Sequence, residues 1–342
     1  MNLVTGATGI IGSHVLLHLL RRNEPVKAGR QRGSDIEKTR RLFMYYSDND
    51  AGLFDRITWV DLDIRDIYSV ESALEGVTNV YHCAGLVSFS RKQRKELFEI
   101  NEKGTANMVN ACLNRGIDAL CHVSTIGTIN NIDHTSPLDE SVFWKTSGRE
   151  SDYALSKYNA EREVWRGMEE GLNAVIVNPG VVLSPGFWGQ SSARIFGNCH
   201  KGSLFYTPGT AGYVAAGDVA EVMVSLVQKR LFGNRYILVE GNYSFREIFN
   251  RVHGYFQKSS PRLKAGRWLL RVARRLEAAL VFFTGREPLL SRGLINAAFN
   301  TQTFSSDKVK KALGFEFKPV LPLLGFICQH YVSDHSKPQA SV

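Results

Sequence analysis

In the pentapeptide YALSK, Tyr153 and Lys157 are separated by four residues, so on a helix they share one face. A phenol with its usual pKa of about 10 is a poor base at neutral pH, but a neighbouring ammonium favours the phenolate and lowers that value. Such a pair can pass a proton to or from a substrate oxygen. Upstream, HVSTIGT carries Ser124 and Thr125, whose hydroxyls are suited to binding a carbonyl oxygen. Tyrosine and lysine at this spacing are by themselves an ordinary helix face, and the surrounding elements decide whether they are more.

Those elements alternate. Apolar segments at 2–5, 25–29, 57–62, 79–83, 119–124 and 173–178 read as strands, and 11–22, 96–115 and 153–169 as helices. Parallel strands need crossover helices, so this order predicts an α/β fold, a doubly wound parallel sheet, over residues 1–180, with later strands drawn from 205–245. The composition changes after Pro179, and 181–335 reads as a smaller, mostly helical substrate-binding subdomain. Ser124 and Thr125 then stand at the carboxyl edge of the sheet, where open α/β folds place their ligands.

The stretch VTGATGIIG fills the first strand-to-helix turn. There Gly6 lets the chain bend, Gly9 lets backbone N–H groups approach a pyrophosphate, and Gly12 lets helix pack on strand, as in a Rossmann dinucleotide site. The expected contact set at the turn is Gly6, Thr8, Gly9, Ile10, Ile11 and Gly12. Where a carboxylate usually grips the ribose of NAD, the sequence reads KAGRQRGSD, with Arg30 and Arg32 in place of an acid and Asp35 too late. Two guanidinium groups favour the 2′-phosphate of NADP. NADP is therefore expected ahead of NAD. After the third strand, Asp63 and Ile64 suit the adenine amine and ring face, and after the fourth, Ala84 and Gly85 are small enough for a close dinucleotide.

Composition excludes other classes. With 342 residues, 44% apolar and 22% charged, the chain has ample material for a core. The net charge of +9 is local: residues 251–300 hold ten Lys/Arg against Glu277 and Glu287. No nucleic-acid module accompanies it, and nucleic acid is not an expected partner. Within this tract the basic stretch 262–283 places Leu269, Val272, Ala273, Leu276, Leu280 and Phe283 on one helical stripe, with Arg267, Arg271, Arg274 and Arg275 mostly off it. The favoured reading is a helix whose stripe covers the substrate side of the fold; peripheral contact with anionic lipid is the alternative. The five scattered cysteines show neither metal nor disulfide spacing, so no metal is expected. A strand directly after Met1 leaves no room for a secretory leader, and a cytoplasmic location, extending to the inner membrane surface, is expected.

Taken together, GATGIIG, LDIRD, YHCAG, NEKGTAN, VSTIGTIN, YALSK and NPGVVLSPG resemble, in order and spacing, the extended short-chain dehydrogenases/reductases, or NAD-dependent epimerase/dehydratase superfamily. GDVAEVM near Asp218, NRYILVEG near Tyr236 and the segment from Gly285 resemble the branch of dihydroflavonol 4-reductase and 3β-hydroxysteroid dehydrogenase. The resemblance implies that Tyr153 is the general acid/base, that Lys157 holds the nicotinamide ribose and tunes Tyr153, and that Thr125, or the adjacent Ser124, supplies the hydroxyl. It places Pro179 and Val181 at the carboxamide side of the ring, Asn101 in support of the sheet edge, and a homodimer through the long helices.

Epimerases often close the VSTIGTIN segment with tyrosine and glycine, where this chain has Ile129 and Asn130. Phe89, Phe187, Trp188, Phe205, Tyr206 and Tyr213 are expected near the carboxyl edge, about half of them as core and the rest as pocket. The expected function is an oxidoreductase for a bulky hydrophobic ketone or secondary alcohol, flavonoid-, steroid- or isoprenoid-like. A nucleotide-sugar epimerase or dehydratase with retained NAD is the second reading, and a dinucleotide-sensing regulator the third.

Overall fold

Short strands buried on both faces, joined by helices, give the doubly wound sheet. The computed structural model describes residues 1–46, 51–129, 137–145, 148, 150–189, 191–284 and 292–336. In chain order, β1 (Asn2–Thr5), β2 (Val26–Arg30), β3 (Thr58–Asp61), β4 (Asn79–His82), β5 (Ala119–Val123) and β6 (Ala174–Pro179) are followed by β7 (Val181–Leu183), β8 (Phe205–Tyr206), β9 (Thr210–Ala215), β10 (Asn234–Leu238), β11 (Gly241–Ser244) and β12 (Leu263–Lys264). Seven of these form one parallel sheet in the order β10-β6-β5-β4-β1-β2-β3. The strand order reverses between β1 and β4, which opens a crevice at their carboxyl ends. The glycine turn after β1 and the Ala84–Gly85 pair after β4 flank that crevice.

Each helix near the crevice has a local cause. Val15, Leu16, Leu19 and Leu20 line the inner face of Ile10–Arg21, which packs on Ala216–Gln228 through Val219, Ala220 and Met223 in one buried cluster. The helix Asp152–Glu169 starts where the Ser151 hydroxyl accepts the Ala154 amide hydrogen at 3.1 Å. Its inner residues Ala160 and Val164 are fully buried.

The structure refines the sequence reading in three places. The helix expected over 96–115 is a short segment Arg94–Phe98, a π turn Glu99–Lys103 and a helix Gly104–Arg115 that ends at Gly116 in the left-handed region. Helices Glu37–Tyr46 and Ile67–Ala73 also lie between strands, in segments too polar to have stood out. Finally, β10 completes the edge of the main sheet, while β7, β9 and β11 form a separate three-stranded sheet. Against that small sheet and the helices Arg194–Lys201, Phe245–Tyr255 and Val320–Ser336, Tyr213, Phe196, Ile248, Leu324 and Tyr331 make a second core.

Candidate active site

The glycine turn leaves no room for a Cβ at Gly6 or Gly12. Gly6 has φ +61°, and a Cβ there would lie 2.7 Å from the Ala84 nitrogen; one on Gly12 would lie 2.3 Å from the Gly6 carbonyl oxygen. These contacts seat the amino end of Ile10–Arg21 against both β1 and the chain after β4. Gly9 begins that helix with no side-chain cap, and Thr8, Gly9, Ile10 and Ile11 are partly exposed. Uncapped helical N–H groups beside a glycine turn suit a diphosphate, so the residues present fit a dinucleotide.

At the adenosine end, Arg32 is exposed and Arg30 lies 3.4 Å from Asp61, its guanidinium 5.9 Å from the Trp59 ring centre. Asp63 is gripped by Arg65 through two short hydrogen bonds, 2.9 and 2.6 Å, which hold its carboxyl below the usual range. Ile64 is buried, close enough that a Cβ on Gly104 would lie 2.7 Å from it. Its side chain thus serves the core beneath the crevice, which differs from the exposed ring contact expected.

Thr125 directly follows Ser124, and the two hydroxyls have different partners. Ser124 is buried and donates to Glu161, whereas the Thr125 hydroxyl accepts the Gly127 amide hydrogen at 3.2 Å and stands near enough to the Tyr153 phenol to favour its ionised form. The expected sharing of roles is thereby corrected: Ser124 is committed to the interior. One helical turn beyond Tyr153, the Lys157 ammonium donates to the Val123 carbonyl at 2.6 Å and lies 3.4 Å from His122 Nε2. A Cβ on Gly85 would approach that ammonium to 3.8 Å. Thr125, Tyr153, Lys157 and Gly85 therefore meet at the carboxyl ends of β4 and β5.

Burial dominates the electrostatics. It pushes the Tyr153 phenol up to about 12, with the Thr125 hydroxyl acting in the other direction. The Lys157 ammonium is turned to the Val123 carbonyl, so the expected lowering of the phenol by Lys157 is not found. Burial also lowers the ammonium from 10.5 to about 8, although Glu161 raises it. His82 is lowered by burial to about 3 and His122 well below its ordinary value, so both rings are neutral beneath the ammonium.

Two groups that sequence reasoning undervalued hold this arrangement. Glu161, 1% exposed, accepts hydrogen bonds from Ser124, from Thr128 at 2.7 Å and from Asn178 at 2.6 Å, and faces Arg235 at 3.6 Å. It stands four residues after Lys157 and eight after Tyr153, a continuation of the same helical stripe that spacing alone could have revealed. Asn101, in the π turn, donates to the Leu86 carbonyl and to Ser156 at 2.9 Å each and accepts the Leu86 amide hydrogen at 2.8 Å. It ties the Gly85–Leu86 segment to the Tyr153 helix, a tighter role than support of a sheet edge.

Of the aromatic candidates, Phe89 meets Tyr153 edge-on at 5.8 Å. Phe187 is buried, Tyr213 is fully buried in the second core, and Trp188 donates to Asp334 and packs on Tyr331, so these three are structural. Phe205 and Tyr206 form β8, paired with β12, and Phe205 is exposed. Pro179 ends β6 beside Leu238, and Val181 opens β7. Ile129 is buried, and Asn130 lies outside the described residues. Among the described residues no cluster of potential metal ligands occurs.

The profile of the NAD dependent epimerase/dehydratase family matches residues 2–238. The chain belongs to that family. It is 28% identical over 318 residues to the "Sterol demethylase protein B" of Methylococcus capsulatus, covering 91% of this chain and 92% of the relative. To the cinnamoyl-CoA reductase 2 of Medicago truncatula it is 28% identical over 264 residues, 74% of this chain and 76% of the other. The crystal structure of gox2253 superposes with TM-score 0.80 at 26% identity, covering 98% of each chain. UDP-glucose 4-epimerase of Thermus thermophilus, solved with NAD, shares the fold at TM-score 0.73 and 22% identity, over 96% of this chain and 98% of its own. A nicotinamide dinucleotide is thus the cofactor class of this family member.

Proposed function

We propose that this family member is an NADP-dependent oxidoreductase that interconverts a ketone and a secondary alcohol on a bulky, apolar substrate. The observation that carries the proposal is the Thr125 hydroxyl near the Tyr153 phenol at the end of β5, with the Lys157 ammonium one turn away against Gly85. The nicotinamide supplies hydride transfer when bound. Gly6, Thr8, Gly9, Ile10, Ile11 and Gly12 would hold the diphosphate, Arg30 and Arg32 the adenosine 2′-phosphate, with Pro179 and Val181 toward the nicotinamide end. Thr125 holds the substrate oxygen. In reduction Tyr153, protonated at neutral pH because burial raises it to about 12, donates its proton to that oxygen and is left as phenolate; in oxidation it must first release its proton to solvent, and the phenolate then takes the proton of the hydroxyl. Lys157, still an ammonium below about 8, keeps positive charge under the crevice floor.

The substrate class is supported by Phe89 beside the phenol and by relatives named for sterol and cinnamoyl-CoA chemistry. A homodimer through Gly104–Arg115 and Asp152–Glu169 is part of the same reading. The test is oxidation of NADPH and of NADH against a panel of apolar ketones and sugar nucleotides. Turnover of an apolar ketone with NADPH, abolished in Tyr153→Phe, is the expected result. Sugar-nucleotide conversion with tightly retained NAD overturns the proposal in favour of an epimerase.

A further inference from the structure

The helix Arg267–Thr284 turns outward part of the stripe that its spacing marks for burial, Leu269 and Leu276, while Val272 and Ala273 are half-buried. Trp268 is 74% exposed, Leu276 64% and Leu269 37%, whereas Arg274 is partly covered. At 100° per residue, Trp268, Val272, Arg275 and Leu276 share one side with Arg271, and both arginines are exposed. The side chains of Leu280 and Phe283 lie outside the described residues. Just before the helix, Leu263 of β12 pairs with Phe205 of β8, and Leu204, Phe205 and Leu263 are exposed as well, with Arg262 and Lys264 beside them. The expected covering role therefore does not hold for Leu269 and Leu276, and the helix starts at Arg267, after a strand, rather than at 262.

We propose that this face docks on a membrane surface bearing anionic lipid headgroups, with the helix lying along the interface. Three features select that occupant. Exposed leucines and a tryptophan alternate with arginines on one side of a helix, so apolar side chains enter the acyl boundary while guanidinium groups reach phosphates. Residues 251–300 carry an excess of eight positive charges, which complements an anionic surface and little else of equal extent. A second copy of the chain is a poor occupant, because a two-fold contact would press Arg271 and Arg275 of both copies into one desolvated seam. The helix rests on the surface rather than crossing it: no described helix is long and apolar enough to span a membrane. The inference goes beyond the proposed reaction and does not depend on it.

The test is sedimentation of the purified full chain with phosphatidylcholine vesicles, and with vesicles in which roughly a third of the lipid is phosphatidylglycerol. Binding to the anionic vesicles at low salt, weakened at high salt and negligible on phosphatidylcholine alone, is expected. The double variant R271E/R275E lowers the partition coefficient by about 30-fold or more, at a loss of about 1 kcal/mol per removed cation. Trp268→Ala lowers it about tenfold through lost apolar burial. Unchanged circular dichroism and urea midpoints show that both variants fold. Failure to bind, equal binding to the two vesicle types, indifference to the charge reversal, or a dimer in light scattering that Trp268→Ala abolishes would each overturn the proposal, the last in favour of a second copy.

Discussion

Replacing Lys157 by methionine removes a buried ammonium while filling most of its space. The residue is 4% exposed, and burial lowers its ammonium from 10.5 to about 8. A depressed value means that the charged form is less favoured in the folded chain than in the unfolded one, so folding below pH 8 carries the difference. At roughly 1.4 kcal/mol per pH unit, that difference is about 3 kcal/mol. Methionine forfeits the hydrogen bond to the Val123 carbonyl, at a cost of about 1 kcal/mol. Lys157→Met is therefore expected to be about 2 kcal/mol more stable than the parent at pH 7, and to lose turnover. Between pH 8 and 10.5 the unfolded lysine binds a proton that the folded one does not, so the parent gains stability across that window and the variant's advantage fades. Urea titrations at pH 7 and pH 10 measure both effects. A variant less stable than the parent at pH 7, or a difference equal at both pH values, refutes the reasoning.

Glu161→Gln leaves the Arg235 charge without its partner and is expected to cost about 3 kcal/mol in urea unfolding. Because Glu161 raises the Lys157 ammonium, its loss also moves the alkaline limb of kcat/KM to lower pH; an unmoved limb defeats this assignment. Gly12→Ala drives a Cβ to within 2.3 Å of the Gly6 carbonyl oxygen, so NADPH affinity measured by calorimetry falls at least about tenfold, with a stability loss of about 2 kcal/mol. Asp218, fully buried, is raised by burial to about 6 while accepting the Lys318 amide hydrogen at 2.7 Å. Asp218→Asn keeps an acceptor there and is expected to add about 1 kcal/mol at pH 7. The parent's penalty is present above pH 6 and relieved below it, so that gain should shrink as the pH falls from 7 to 5.

The parallel sheet was legible because strand and helix periods are local, and the Tyr153–Lys157 pair because four residues make one helical turn. Whether Ser124 or Thr125 faces the phenol was not legible. Adjacent residues at a strand end point different ways, and only the register of β5 against the Tyr153 helix fixes which is inward. The π turn at Asn101 arises from bonds to Leu86 and Ser156, partners 15 and 55 residues away. Spacing announced an apolar stripe on Arg267–Thr284 correctly, but periodicity describes a helix and not its neighbours, so the side left open was invisible. Phe187 was ambiguous for a related reason, since an aromatic in a loop packs wherever a core forms, and Tyr213 because it stands in β9, whose partner strands β7 and β11 are set by distant pairing.

A single oxygen of Glu161 gathers donors from the end of β5, the turn after it and β6. Groups that handle the proton are thereby braced from inside the sheet, by a side chain that no substrate touches. Phe89 and the exposed positions around it follow Leu86, which Asn101 ties to the Tyr153 helix through Ser156. Proton transfer thus has a second brace, Glu161, beyond the Asn101 link that it shares with the substrate-side loop from Leu86 onward.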